Sequence, residues 1–580
     1  MDGNTDKILD AVIVGAGFGG VYALHRMREM GLDAQVIEAG SGIGGTWFWN
    51  RYPGARCDIE SMQYSYSFSE DIQAEWTWSE LYAAQPEILE YINFVADKLK
   101  LRDGITLNTR VSSATFDEDK AIWTVICDDG SRYRARFCVM ATGVLSIPLA
   151  PNIPGIENYE GPLLRTSDWP EDGIDLRGKT VGIIGTGSSG IQLTPALAPQ
   201  VEQLIVYQRT PNYAIPAHNR PIDSHYVETW RANYPKRRAA ARLTRNNTLN
   251  NASYRTGAEV TDEQFRAEME SRWAIGGIAF MYAFTDITSD PDTNRRVSDF
   301  VREKLAEKID DPDVADALIP KDYPIGAKRI CVDTNYYETF NRDNVDVRNI
   351  QDNPIETVTG DGVKLADGRE DRLDVLVLAT GFDAMTGALK RIDITGRGGR
   401  KLADEWDAGP LTYFGLGVAH FPNMFIVAGP GSPSVFSNMV TSAEQHVDWI
   451  ADTIQHVKEA GCRSMQPSCM RARTAGTSAR TFRANHACSC PIWGASPITS
   501  RLSRMRQKTI IAASRSPEQK KPGSDAGLLR LGPWGGLSAS WHAAPRSSTP
   551  PILRAASLRC HAPGRSGLPD TGPRARPSDR

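Results

Sequence analysis

The chain has 580 residues and a formal charge of −4, long enough for roughly three or four domains with a sizeable core. The charge is unevenly spread: residues 462–580 hold 17 Arg and 3 Lys against 4 acidic residues, so a basic tail follows a body of net −20. Cys57, Cys127, Cys138 and Cys331 of the body are far apart with no CxxC, and no apolar run nears the roughly 18 residues of a membrane span, which argues against a disulfide framework, a zinc site and a transmembrane protein.

Met1–Lys7 is short and acidic with no signal-peptide pattern, so a reduced, cytoplasmic setting is expected. Ile8–Val14 then reads as a buried strand. Gly15-Ala16-Gly17-Phe18-Gly19-Gly20 follows, then a helical pattern to Met30 and a second strand ending in Glu38. Strand, glycine turn, helix, strand and acid is a dinucleotide pattern. Gly15 permits the turn, Gly17 a close approach to a pyrophosphate, and Gly20 close helix–strand packing. The helix start offers unpaired N–H groups to the phosphates. Glu38 suits a ribose and repels a 2′-phosphate, so this unit is expected to take FAD or NAD rather than NADP.

Gly44–Asp58 is rich in glycine and aromatic residues: Gly44-Gly45-Thr46-Trp47-Phe48-Trp49-Asn50-Arg51-Tyr52-Pro53-Gly54-Ala55-Arg56-Cys57-Asp58. It is too irregular for a strand or helix, and reads either as a packed loop or as a wall against a flat ring. Gln85–Leu99 reads as an amphipathic helix. Ile105–Val111, Ala121–Cys127 and Tyr133–Met140 read as strands, closed by Ala141-Thr142-Gly143.

A second unit begins at Lys179–Ile184. Gly185-Thr186-Gly187-Ser188-Ser189-Gly190 repeats the glycine pattern, a helix runs on from Ile191, and strand Leu204–Tyr207 ends in Gln208-Arg209-Thr210-Pro211. An Arg where the first unit has Glu38 can grip a 2′-phosphate. The pair of sites therefore reads as FAD first and NADPH second. Residues 216–324 have helical periodicity and form a helical insertion. Val375–Leu378 ends in a second Ala-Thr-Gly turn at Ala379-Thr380-Gly381. A helix is expected from Thr441 to Lys458.

The expected architecture is α/β, with two doubly wound dinucleotide domains. The FAD-binding domain takes 1–147 and 371–461, the NADP-binding domain 148–215 and 325–370. The insertion occupies 216–324, and a disordered tail runs from 462 to 580.

Together, the Gly44–Asp58 loop, Gly185–Gln192, Gln208–Pro211, Lys328-Arg329 and Gly429–Met439 resemble the type I Baeyer–Villiger monooxygenases, in the branch of phenylacetone and steroid monooxygenases. The resemblance covers about residues 8–461. It implies an enzyme that uses NADPH and O2, through a C4a-peroxyflavin, to turn a ketone into an ester or lactone. Its expected partners are the ketone and O2, with no nucleic acid or membrane, and a monomeric state. By position, Gly15, Gly17, Phe18, Gly20, Glu38, Thr46, Trp47, Phe48, Trp49, Arg56, Cys57, Asp58, Tyr64, Val111 and Met439 would contact FAD or line its site. Thr186, Gly187, Ser188, Ser189, Gly190, Ile191, Gln192, Arg209, Thr210 and Lys328 would hold NADP. Arg329 would sit over the flavin as a permanent cation, oriented by Asp58. Residue types alone allow an ordinary structural ion pair; the loop context favours the catalytic one. Rival readings are an NADPH oxidase-like flavoprotein that leaks peroxide, and an N- or S-oxygenating monooxygenase.

The sequence departs from the family at two places. In the fingerprint Tyr159-x-Gly161-x-x-x-Arg165-x-x-x-Trp169-Pro170, Arg165 stands where the family has His. After Gly461 the acidic residues nearly vanish and periodicity is lost, the composition of a disordered segment. The genetic code offers a more specific cause. Cys490-Pro491-Ile492-Trp493-Gly494, regrouped one base earlier, is able to encode Met-Pro-Tyr-Leu-Gly. Carried back to Arg473, the regrouping permits Asn-Ser-Trp-Tyr-Leu-Gly-Ala-Asn-Ile-Pro-Gly-Lys-Pro-Arg-Val-Phe, the family's C-terminal signature. A frameshift, with a deletion between Gly461 and Arg473, accounts for it; Cys488 and Cys490 are then not metal ligands.

Overall fold

Ala11 to Val14 are all buried, with Ala11 and Ile13 facing one apolar core and Val12 and Val14 another. Only a strand covered on both faces reads this way. In the computed structural model, which describes residues 7–432 and 436–464, strand Ile8–Val14 is central in a parallel array. The array runs Met424–Ile426, Arg132–Met140, Ile8–Val14, Ala34–Ile37 and Ile105–Thr106. Helices Phe18–Glu29 and Met439–Glu459 cover one face. On the other, an antiparallel meander of Val111–Asp117, Ile122–Cys127 and the first half of Arg132–Met140 packs around Trp123. The expected single strand Ile105–Val111 is two separate pieces, with Asn108 at positive φ between them.

The second sheet is wholly parallel: Val345–Asn349, Gln203–Gln208, Thr180–Ile184, Val375–Leu378 and Leu163–Arg165. Val375–Leu378 therefore belongs to the second unit, which corrects the expected boundary at 371. The chain crosses between units twice, and the crossings pair with each other. Leu149 N donates to Gly381 O at 3.0 Å, and Asp383 N to Ile147 O at 2.8 Å. Everything from about 150 to 380 is thus one insertion into the first unit.

Residues 216–324 are helical, but they have no core of their own. Val227, Trp230 and Tyr234 join the first unit's core, while Phe265, Met269 and Phe300 join the second's. Arg238 anchors the first part by donating to Gln63 O at 2.9 Å and Ser65 Oγ at 2.5 Å. The expected tail is described only as far as Ser464. Arg463 O accepts from Asn423 Nδ2 at 3.1 Å, so its first residues lie against the first unit; the disorder expected further on falls outside the described residues.

Candidate active site

The two glycine turns are built alike. Gly15 has φ +102°, and a Cβ there would lie 2.6 Å from Ala141 O; one on Gly20 would lie 1.8 Å from Gly15 O. Gly185 has φ +112° with Ala379 O at 2.5 Å, and Gly190 meets Gly185 O at 2.1 Å. Backbone contact thus excludes side chains at the first and last glycines of both turns. The middle glycines differ: a Cβ on Gly17 would approach only Gly45, its Cα at 3.4 Å, and one on Gly187 would meet nothing within 4 Å. At those open positions the backbone is accessible, as the close approach of a pyrophosphate requires. Helices Phe18–Glu29 and Ser188–Leu197 start from Gly17 and Gly187 with no side-chain cap, so their leading N–H groups remain available to an anion.

The strand ends carry the expected opposite charges. Glu38 is buried at the end of Ala34–Ile37 and accepts from Ala16 N at 2.6 Å and Gly40 N at 2.8 Å. These bonds hold the carboxylate against the first turn. Arg209 is exposed just past Gln203–Gln208 and makes no ion pair among the described residues. Thr210 O accepts from Thr186 Oγ1 at 3.1 Å, joining the two chain segments of the second turn. Lys328 Nζ stands 4.6 Å over the Tyr323 ring, and Tyr323 Oη donates to Pro211 O at 2.8 Å. Two exposed cations therefore stand near Thr210–Asn212, Arg209 in sequence and Lys328 through Tyr323.

Between the turns runs Gly44–Asp58, which is not wholly irregular: Thr46–Trp49 is one short helical turn. Gly44 N donates to Ala16 O at 3.0 Å, seating the start of the loop on the first glycine turn. The expected aromatic wall divides. Trp47 Nε1 donates to Tyr64 Oη at 3.1 Å, and the Phe18 ring lies 5.6 Å from that of Tyr64, so these three cluster beside the first helix start. Phe48 turns away, its ring filling the space over Gly40 and Gly42 with the Arg51 guanidinium 4.6 Å above it. Trp49 meets Phe48 edge-on, and Thr46 is exposed.

At the loop's end Asp58 meets Arg329. Arg329 Nε donates to Oδ2 at 2.7 Å and Nη2 to Oδ1 at 2.9 Å, a two-point contact. The side chains keep 22% and 25% exposure, so the pair is partly buried. Burial opposes the charge on Arg329, but the field and hydrogen bonds of Asp58 outweigh it and raise the guanidinium pKa above its ordinary range. Cys57 and Cys331 flank the pair, and burial pushes both thiols up, Cys331 to about 11, so neither is a thiolate near neutral pH.

Some expected contacts are spent elsewhere. Arg56 donates to Glu80 Oε2 at 2.9 Å and Tyr82 O at 3.0 Å, which neutralises it inside the fold. Cys57 is buried and accepts from Ile59 N at 3.4 Å. The Val111 side chain is packed in the core with Val14 and Ile37. Gln192 reaches back to the loop, accepting from Tyr52 Oη at 2.8 Å. Met439 is half-buried at the start of its helix, capped by Asn438. Tyr52, Glu80 and Tyr323 were not singled out from sequence. Gly54 beside Tyr52 was the available signal, because a loop glycine between Pro53 and Ala55 marks a close approach.

Two open glycine turns, one ending in an acid and one in an arginine, with an Arg–Asp pair between them, define a two-dinucleotide oxidoreductase. A family model described as pyridine nucleotide-disulphide oxidoreductase matches residues 12–260. The chain is 43% identical over 465 residues to an acetone monooxygenase (methyl acetate-forming) of Gordonia sp. (strain TY-5), covering 79% of this chain and 86% of that protein. It is 41% identical over 466 residues to a Baeyer–Villiger monooxygenase of Pseudooceanicola batsensis, covering 79% and 84%. Among solved structures, an oxidized steroid monooxygenase bound to NADP superposes with a TM-score of 0.77 at 47% identity, covering 83% of this chain and 93% of that one. The protein belongs to the Baeyer–Villiger monooxygenase family.

Proposed function

We propose that this protein oxidises a ketone to an ester or lactone with NADPH and O2, with FAD on the first unit and NADPH on the second. The Asp58–Arg329 contact carries the reading, because a guanidinium held at two points by a carboxylate is the kind of fixed, oriented cation that a developing oxyanion needs. The open backbone at Gly17 and Gly187 and the uncapped helix starts fit the two pyrophosphates. Glu38 orients the FAD ribose while staying tied to Ala16 N. Arg209 and Lys328 take the 2′-phosphate of NADPH. The Phe18, Trp47 and Tyr64 cluster screens the flavin side from water, and Met439 lies at the start of the neighbouring helix. FAD, when bound and reduced by NADPH, would supply the electron pair with which one atom of O2 enters the product and the other leaves as water. Arg329 stabilises negative charge as it grows on the substrate carbonyl oxygen, which is where a preformed cation lowers a barrier most. Asp58 fixes the plane of that guanidinium.

The test is one assay with two readouts: NADPH consumption across a panel of cyclic, aryl and steroidal ketones, with ester and hydrogen peroxide measured together. Ester formed in proportion to NADPH is the expected result. Peroxide alone, across the whole panel, defeats the oxygenase reading.

A further inference from the structure

Helix Ser188–Leu197 touches both halves of the Asp58–Arg329 pair at one remove. Gln192 is held by the loop at three points: its Oε1 accepts from Tyr52 Oη at 2.8 Å and from Arg56 N at 3.3 Å, and its Nε2 donates to Arg56 O at 3.1 Å. Both main-chain groups of Arg56 are thereby fixed two residues before Asp58. Two residues after Arg329, Cys331 Sγ lies 3.4 Å from Ser188 Oγ on the same helix. Gly54 makes the approach possible, with φ +82° and an added Cβ only 2.4 Å from Gln192 O. The helix start is the phosphate seat of the second unit; one turn further along, Gln192 grips the loop of the first.

We propose that Gln192 is a positioning residue, not a nucleotide ligand: its carboxamide locks the Asp58 loop to the helix that seats NADPH, so the alignment of the two units depends on it. This rests on the assignment of the second turn to NADPH. A neutral amide suits the task because it donates and accepts at once. Glutamate would keep the bonds from Tyr52 Oη and Arg56 N but lose the one to Arg56 O.

The test uses the FAD-loaded protein and does not depend on oxygenation. NADP+ affinity is read from the change in flavin absorbance, and the rate of flavin reduction by saturating NADPH is followed without oxygen. FAD content and Tm are measured alongside. For Gln192→Leu the expected result is an NADP+ Kd within twofold of the unmodified protein and reduction slowed about tenfold. Gln192→Glu recovers part of that rate. Tyr52→Phe, which removes a single hydroxyl, slows reduction several-fold at unchanged Kd, and carries the test if Gln192→Leu does not fold. A Kd weakened tenfold with reduction unaltered would make Gln192 a nucleotide ligand and overturn the proposal, as would no change in either quantity. Failure of the unmodified protein to bind NADP+ or to be reduced by NADPH overturns the functional reading itself.

Discussion

Arg329 and Asp58 stand 271 residues apart in sequence and meet through two parallel hydrogen bonds. A lysine there would keep the charge but lose the planar fork, and charge without aim stabilises a developing oxyanion poorly. Arg329→Lys is therefore expected to cut ester formation by about 10²-fold or more at retained FAD content, on the scale of a lost oxyanion donor. The raised pKa of Arg329 also has a pH consequence. A base whose folded pKa lies above its unfolded one adds stability that is full at lower pH and lost only as pH climbs through the folded value. Here that window lies far into alkali, so no limb of the pH–rate profile between pH 6 and about 9 should belong to Arg329. At the other end of the second site, Arg209→Ala should raise the KM for NADPH by about 10- to 100-fold, the worth of one charged hydrogen bond, and leave that for NADH nearly unchanged. Equal effects on both nucleotides would remove Arg209 from the 2′-phosphate site.

The elements most legible in the sequence were those whose signal is local. Each glycine turn needs its conformation from residues only a few positions apart, so strand, turn and helix could be placed directly. Apart from the Asp58–Arg329 pair, which the family resemblance implies, contacts between distant segments are not legible in the residues themselves. By its place in the chain the Ala379-Thr380-Gly381 turn reads as part of the first unit, yet Ala379 O meets Gly185 just as Ala141 O meets Gly15. The same tripeptide serves both sheets, and nothing local says which. Gln192 lies in a stretch that reads as nucleotide-binding, but a helix has two sides and the sequence does not say which one the loop will occupy. Thr46–Trp49 forms a helical turn because Gly45, at φ +55°, redirects the chain into it. The two kinds of glycine predict opposite mutant behaviour. Gly187→Ala should fold with nearly unchanged Tm while NADP+ binding weakens strongly, since the added methyl enters open space. Gly190→Ala should lower the Tm markedly, since its methyl would overlap Gly185 O. A Gly187→Ala protein that binds NADP+ normally would show that the phosphates lie elsewhere.

For the whole molecule, two large sheets and an insertion shared between their cores fit one family over most of the chain, and two departures remain. Arg165 is exposed at the end of edge strand Leu163–Arg165, paired in register with Leu378, so the fold tolerates it in place of His. It is one residue from the Ala379 turn, and guanidinium only donates where imidazole can also accept. The tail beyond Ser464 lies outside the described residues, and its origin is a question for the coding DNA. Read one base earlier from Arg473 to Gly494, that DNA should spell the Trp-bearing family signature; any other reading ends the frameshift explanation.

The two paired crossings also set a timetable. Residues from about 150 to 380 form a continuous stretch with adjoining ends, so the second unit is complete as soon as Val375–Leu378 leaves the ribosome. The first unit, although it starts the chain, cannot close then. Arg132–Met140 lacks its neighbour Met424–Ile426, and Phe18–Glu29 lacks the cover of Met439–Glu459. At about 5–20 residues per second, that leaves an uncovered sheet edge and an apolar helix face waiting for several seconds. The part of the protein made first is the part that finishes folding last.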